Sequence, residues 1–352
     1  MLQRPDLGPA PPVPTPQTAP TPQPAPSPLS APTPLPRPRG GVLATIGDTP
    51  MARLERLWSP RRWSLHVKLD GMNPGGSTKD RAALRIIEDA LADGRLRPGG
   101  LVVESSSGNM GLGLSVVCAS LDIPFTCIVD PHTTPQNLAL MRAYGTKVEV
   151  VTVEDPVAKS YLPNRLARVR QILAEHPGAF WPNQYENLSG VAAHYHGTAP
   201  EIARQLGGFP DWLFIAVGTC ATIQGTARWF RDQGAHTRIV GVDSVGSVVL
   251  GGQPARRKIP GIGSAQKSPI LDMTLVDHAV QVEEDDAIRW CRRLARTEAI
   301  LAGGSSGCVL AAIDRLAGQF QDGDVVVGLL PDRGSRYLEL IFEQGEEDDG
   351  HR

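Results

Sequence analysis

A chain of 352 residues with 41% hydrophobic content has enough apolar mass for two packed lobes and is of enzyme size. Its formal net charge of -2 at pH 7 supplies no broad basic field for a polyanion, which argues against nucleic acid and for small molecules as partners. Cys118, Cys127, Cys220, Cys291 and Cys308 are odd in number, scattered and never spaced C-x-x-C, so neither a disulfide framework nor a zinc site is expected, and a reducing cytoplasm fits best.

Residues 1–40 hold 15 of the 32 prolines and no continuous apolar stretch of signal-peptide type. Proline lacks an amide donor and large apolar side chains are scarce there, so a disordered, partly polyproline II tail is expected. Further on, Ala82, Ala83, Ile86, Ile87, Ala90 and Leu91 recur at helical spacing with Gly94 as a stop, which predicts an amphipathic helix starting beside Lys79. Short β-rich runs then follow at 101–104, 125–129, 147–151, 212–217, 238–243 and 325–330, alternating with helical patterns. Such alternation implies parallel strands joined by helical crossovers. The most apolar stretch, Gly111 to Val129, is broken by Asp122 and Pro124 and falls short of the roughly 20 residues of a membrane helix, so no membrane partner is expected. The acidic end from Glu343 to Asp349 reads as a solvated tail.

Four segments carry chemistry. In NPGGSTKDR (Asn73 to Arg81) a Gly-Gly turn and a capping Ser77 deliver Lys79 to a helix start, where burial and the positive helix end lower its pKa and favour the neutral amine. In ESSSGNMG (Glu104 to Gly111) hydroxyls and backbone amides gather at a helix N-terminus and form an anion pocket. VGTCATIQG (Val217 to Gly225) repeats that arrangement and suits a phosphate by the same physics. LAGGSSG (Leu301 to Gly307) offers small residues where backbone can approach a flat ring. Each segment alone also reads as an ordinary turn, and Lys79 alone as a solvated lysine.

In order and wording these segments resemble the fold type II pyridoxal-phosphate (PLP) enzymes around cysteine synthase and cystathionine β-synthase. The resemblance runs from about Gly47 to Phe342 and includes GDTPM, NQYEN, the PGIG turn (Pro260 to Gly263) and LPDRGSRYL. It implies an α/β fold of two lobes, each with a mainly parallel sheet flanked by helices, and PLP in the cleft between them. The implied organisation is a Pro-rich tail at 1–40, N-terminal strands at 41–70 contributing to the large domain, a small mobile PLP and substrate domain at 71–183, a large PLP-binding domain at 184–343, and an acidic tail at 344–352. Lys79 becomes the Schiff-base lysine, Asn109 the partner of the PLP hydroxyl and Ser305 the residue facing the pyridine nitrogen. The turn Gly218, Thr219, Cys220, Ala221, Thr222 would hold the phosphate, while Ser106, Ser107, Asn109 and Gln184 would surround the substrate carboxylate. A neutral hydroxyl at the ring nitrogen makes a weak electron sink, which favours β-elimination and replacement over transamination.

Two departures stand out. The phosphate turn is poorer in glycine than is usual, and Met110 replaces a common threonine. Within the family, SSSGNMG, DPHTTPQN (Asp130 to Asn137), HYHGTAPEI (His194 to Ile202) and VDSVGSVVLGG (Val242 to Gly252) look most like the branch that supplies 2,3-diaminopropionate for siderophores and peptide antibiotics. That branch joins O-phospho-L-serine to the amino group of L-glutamate. Arg165 and Tyr185 are candidates for holding the phosphate or the incoming glutamate, since a guanidinium forks well onto carboxylates. His194 and His196 read as ordinary hydrogen-bonding residues. The alternatives are a cysteine synthase using sulfide with O-phosphoserine or O-acetylserine, a non-catalytic PLP-binding regulator, and a dinucleotide-binding protein whose glycine spacing does not fit. A homodimer is implied by the family and by the commonness of twofold assemblies.

Overall fold

Parallel strands covered on both faces need continuous apolar runs rather than alternation, and the runs WLFIA and VVVGLL supply them. The computed structural model describes residues 40–58, 61–156 and 159–343; nearly all of the proline-rich tail and the acidic end lie outside the described residues. The chain first pairs β1 (Met51–Leu54) antiparallel with β2 (Ser64–Leu69) and then enters α1 (Lys79–Ala92). β3 (Val102–Ser105), α2 (Asn109–Ser120), β4 (Phe125–Val129), α3 (Pro135–Ala143), β5 (Lys147–Val150) and α4 (Leu162–Glu175) follow. Next come α5 (Leu188–Ala193), a π-turn (His194–Thr198), α6 (Ala199–Leu206), β6 (Trp212–Ala216), α7 (Ala221–Asp232) and β7 (Arg238–Ser244). β8 (His278–Val282), α8 (Glu284–Glu298), α9 (Gly304–Leu316), β9 (Val325–Leu330) and a terminal π-turn (Leu338–Phe342) complete the described chain.

These strands form two sheets. One has the order β1-β2-β9-β6-β7-β8 and is parallel except at the β1–β2 pair, and the other is the parallel set β3-β4-β5. On one face of the larger sheet, Trp212, Phe214, Val240 and Val326 pack with Trp290, Leu294, Val309 and Leu310 of α8 and α9. On the other, Leu213, Ile215 and Ile239 meet Ile202 of α6 and Ile223 and Phe230 of α7. The smaller sheet builds its core from Val102, Phe125, Cys127 and Val129 against Ile86, Ile87 and Ala90 of α1 and Leu112, Leu114 and Val117 of α2. The predicted stripe of α1 is thus its buried face.

Behind that helix lies a charged quartet. Arg81 donates to Asp70 at 3.0 Å and to Glu201 at 2.6 Å, and the wholly buried Lys68 sits 2.7 Å from Glu201. Burial alone would raise the Asp70 carboxyl, but the Arg81 guanidinium holds it down at about 2. Among the described residues no helix is long and apolar enough to cross a membrane.

Candidate active site

In parallel sheets the loops at the carboxyl ends of the strands line the crevice where ligands bind. Here β3, β6 and β9 all run out at one cavity of about 810 Å³. Its wall contains Lys79, Ser106, Ser107, Asn109, Arg165, Gln184, Tyr185, Gly218, Thr219, Cys220, Thr222 and Ser305. Of the residues expected to bind cofactor or substrate, Ala221 alone is missing from that wall. It starts α7 with its side chain packed against Val191 and Ile270.

Lys79 opens α1. The N-cap position is Thr78 rather than Ser77, and neither side chain makes a standard capping bond; the Ser77 hydroxyl accepts from the Lys79 amide at 3.3 Å. The preceding loop is fixed by Asp80, whose carboxylate accepts from the Gly75 amide at 2.5 Å; a Cβ at Gly75 would lie 2.5 Å from that carboxylate. Burial, the largest cause, lowers the Lys79 pKa, while nearby Asp332 and Asp70 act in the opposite sense. Burial likewise pushes Asp80 up to about 7. The Lys79 side-chain nitrogen makes no hydrogen bond or ion pair among the described residues.

The β3–α2 turn is cross-bonded by its own side chains. The Ser106 hydroxyl accepts from the Gly111 amide at 3.0 Å and Cys127 Sγ donates to the Ser106 carbonyl at 3.2 Å. The Ser107 hydroxyl donates to Asp130 at 3.0 Å and accepts from Arg165 at 2.6 Å, and Arg165 pairs with Asp130 at 3.1 Å. Helix α4 starts three residues before Arg165, with Pro163 and Asn164 in its first turn. The Arg165 Nε is buried and without a partner. Burial raises the pKa of the neighbouring Tyr185 phenol and keeps it a proton donor.

The β6–α7 turn is held from behind. Gly263 donates to the Val217 carbonyl at 2.7 Å and Ser268 to the Thr219 carbonyl at 2.9 Å, so the PGIG segment docks on the turn through its carbonyls. The amides of Gly218, Thr219 and Cys220 donate to nothing among the described residues, and the first-turn amides of α7 have no intrahelical acceptor. Cys220, at the N-cap, is in the left-handed region with φ 70°. Thr222 meets His194 Nε2 at 3.1 Å, and His194 Nδ1 meets Thr198 at 2.8 Å. Burial holds that imidazole neutral, with its pKa down at about 3.

Three groups that sequence reasoning left without roles also belong to the site. Asp332 accepts from Asn109 Nδ2 at 2.8 Å and from the Tyr337 hydroxyl at 2.6 Å. Arg336 donates to Asn109 Oδ1 and to the Gly75 carbonyl. Glu104 accepts from Trp181 Nε1 at 3.0 Å and from the Gln184 amide at 3.3 Å, and burial pushes its carboxyl up to about 7. The LPDRGSRYL wording contained the first two, but nothing local ties Asp332 to a residue 223 positions away.

A phosphate-bearing aldehyde fits this cavity. It has an unpaired amine with lowered pKa and, beside it, a helix N-terminus whose amides are open to an anion. The family model described as pyridoxal-phosphate dependent enzyme matches residues 42–332. The chain belongs to that family. PLP is therefore its cofactor. The chain is 44% identical over 302 residues to the N-(2-amino-2-carboxyethyl)-L-glutamate synthase of Ralstonia nicotianae, covering 86% of this chain and 89% of the relative. The protein of the same name from Cupriavidus metallidurans is 40% identical over 305 residues, with the same coverage of both chains. Among solved structures, O-ureido-L-serine synthase superposes with a TM-score of 0.81 at 31% identity, covering 89% of this chain and 98% of that one. O-acetyl serine sulfhydrylase isoform 3 from Entamoeba histolytica gives 0.81 at 30% identity, covering 91% and 96%.

Proposed function

We propose that this chain joins O-phospho-L-serine to the amino group of L-glutamate, giving N-(2-amino-2-carboxyethyl)-L-glutamate and phosphate for 2,3-diaminopropionate supply. The single observation that carries this reading is the near full-length similarity, at 40 and 44% identity, to two synthases of that name. The cavity chemistry agrees with it.

Bound PLP supplies an electron sink that acidifies the substrate Cα–H and lets the β-substituent leave. The open amides of the 218–222 turn, with the Thr219 and Thr222 hydroxyls, hold the cofactor phosphate, and Asn109 and Ser305 contact its ring. Ser106, Ser107 and Gln184 hold the substrate carboxylate. The Lys79 amine, its pKa lowered by burial, removes the Cα proton and later returns it to the same carbon. Over the reaction the β-carbon to oxygen bond breaks, a β-carbon to nitrogen bond forms, and the acceptor amine loses a proton. Arg165, steered by Asp130 and lining the cavity, holds an anionic group of the donor or acceptor together with the Tyr185 hydroxyl. Residues 41–70 and 184–343 around the larger sheet would form the fixed domain and 71–183 the mobile one, in a cytoplasmic homodimer.

The test offers O-phospho-L-serine with glutamate or with sulfide, separately, to the PLP-loaded protein and reads the product by mass spectrometry. The C–N product and phosphate are expected with glutamate. Cysteine from sulfide alone overturns the acceptor assignment, and no phosphate release with either overturns the donor.

A further inference from the structure

The cavity wall is more cationic than the chain as a whole. It carries Lys79, Arg165, Arg256, Arg257, Lys258 and Arg336 against Asp130 and Glu339, in a chain with 35 Lys and Arg and 37 Asp and Glu. Most of these cations are committed. Lys79 is the proton-transfer group. Arg165 pairs with Asp130 at 3.1 Å, Arg336 donates to Asn109 and to the Gly75 carbonyl, and Arg257 donates to the Ile262 carbonyl at 2.8 Å. Arg256 and Lys258 remain. Both are exposed, and neither side chain makes a hydrogen bond or ion pair among the described residues.

The backbone beneath these two residues is nonetheless fixed. The amides of Lys258 and Ile259 both donate to one Glu284 carboxylate oxygen, at 2.6 and 2.7 Å. Ile259 is 3% exposed and packs so closely on the start of α9 that a Cβ at Gly304 would stand 2.5 Å from it. Arg257 and Ile259 thus turn inward while Arg256 and Lys258 turn outward. The segment continues into the Pro260–Gly263 turn, which lies between the two anion-type turns. A Cβ at Gly218 would be 3.6 Å from the Gly261 carbonyl oxygen, and one at Gly261 would be 3.9 Å from Asn109 Nδ2. Two uncompensated cations are therefore held at the rim of the cavity, on its β6–α7 side.

A replacement in which one amino acid attacks another brings several anionic groups into one cavity. The cofactor phosphate has the amides of the 218–222 turn, and the donor carboxylate has Ser106, Ser107 and Gln184. Arg165 and Tyr185 adjoin Ser107 and Gln184, on the donor's side. The acceptor's carboxylates have no counterpart among these groups. We propose that Arg256 and Lys258 form the acceptor subsite, holding the side-chain carboxylate of a dicarboxylic amino acid and selecting glutamate over its amide, glutamine. The proposal rests on the reading that the acceptor is L-glutamate. A hydrogen bond between two charged groups is roughly twice as strong as one between neutral groups, so a pair of cations prefers a carboxylate to an amide of the same shape. Held by its far end at the rim, the acceptor keeps its amine free to reach the β-carbon inside.

The experiment uses the PLP-loaded protein and compares wild type with Arg256→Gln, Lys258→Gln, the double variant and Lys267→Gln. Lys267 is an exposed cation of the same loop that lies outside the cavity wall. Two quantities are read: the phosphate released in the first turnover from O-phospho-L-serine alone, and kcat/KM for product with glutamate or with glutamine as acceptor. In the double variant kcat/KM for glutamate should fall about tenfold to a hundredfold, the effect of losing a hydrogen bond to a charged group. The glutamine value and the phosphate burst should stay near wild type, so the preference for glutamate collapses, and Lys267→Gln should match wild type throughout. An unchanged glutamate value in the double variant overturns the proposal, while product formation by wild type leaves the acceptor reading standing. An equal fall with glutamine removes the selectivity, and a slower phosphate burst assigns the pair to the donor; either result overturns the proposal. A loss of the same size in Lys267→Gln shows a general field rather than a subsite and overturns it too. If wild type itself yields no product with glutamate, the acceptor reading has failed and the proposal falls with it.

Discussion

The turns at 105–109 and 218–221 are built alike, each carrying the chain from a buried parallel strand into a helix N-terminus, but they are finished differently. In the first, side chains tie the turn internally, with Ser106 binding the Gly111 amide, Ser107 clamped between Asp130 and Arg165, and Asn109 held by Asp332, while the amides of Ser107, Asn109 and Met110 donate to nothing among the described residues. In the second, the supporting bonds arrive at the carbonyls of Val217 and Thr219, and the amides of Gly218, Thr219 and Cys220 stay open. A turn tied by its own side chains presents those side chains fixed beside its open amides. A turn satisfied only from behind keeps its donors for an anion, and that suits a phosphate.

The largest effect belongs to the residue lying between the two turns. Lys79→Ala should cut turnover by at least roughly 10²- to 10⁴-fold, the range for losing a positioned proton-transfer group, while circular dichroism stays that of the wild type. Near-normal turnover would remove Lys79 from the chemistry. Next, Thr219→Val tests the open turn. It deletes a hydroxyl that has no internal partner among the described residues, so PLP affinity should fall about tenfold to a hundredfold with the apoprotein melting temperature unchanged. A destabilised apoprotein would mean that this turn, too, is tied internally. Ser106→Ala tests the internally tied turn and should show the opposite pattern, a loss of about 1 kcal/mol of stability from the vacated helix-start bond, read by urea unfolding, with PLP affinity near wild type. The smallest effect is expected from Cys220→Gly. A left-handed non-glycine residue costs about 1–2 kcal/mol and glycine returns about 0.5–1 kcal/mol of that in chain entropy. The variant should therefore be more stable by up to about 1 kcal/mol in the same unfolding assay; destabilisation would show that the buried thiol outweighs the strain.

How much of this was legible beforehand follows from how local each feature is. The six strands anticipated from β-rich runs are all present: most carry the apolar sequence of strands covered on both faces, while the edge strand β5, KVEV, is exposed to half-buried and is legible from its β-branched residues. The edge strand β8, HAVQV, escaped: it is half-exposed and mixes polar with apolar residues, and its pairing with β7 is set by the fold. The two anion-type turns were readable because strand, glycine or serine turn and helix are consecutive in sequence. The partners that complete them were not. Asp332 reaches Asn109 across 223 positions and Glu104 reaches the Gln184 amide across 80, and nothing in either local sequence distinguishes a buried acceptor from a solvated acid. Ser77 failed as a cap for a smaller reason: the helix begins one residue later than its hydroxyl requires.

The quartet behind α1 also limits how this chain can diverge. Lys68 and Arg81 balance Asp70 and Glu201 in a buried setting where each positive group touches a negative one. Losing one partner of such a set strands a charge at a cost of about 3–5 kcal/mol, whereas replacing the set together by apolar residues is often nearly neutral. With total stability on the order of 5–15 kcal/mol, each single step away from the present arrangement consumes a large share of the margin, and the favourable destination is several simultaneous substitutions away. The four positions are therefore epistatically locked. Relatives should keep all four or change them as a block, and the helix that carries Lys79 inherits that constancy without any of the four touching the substrate.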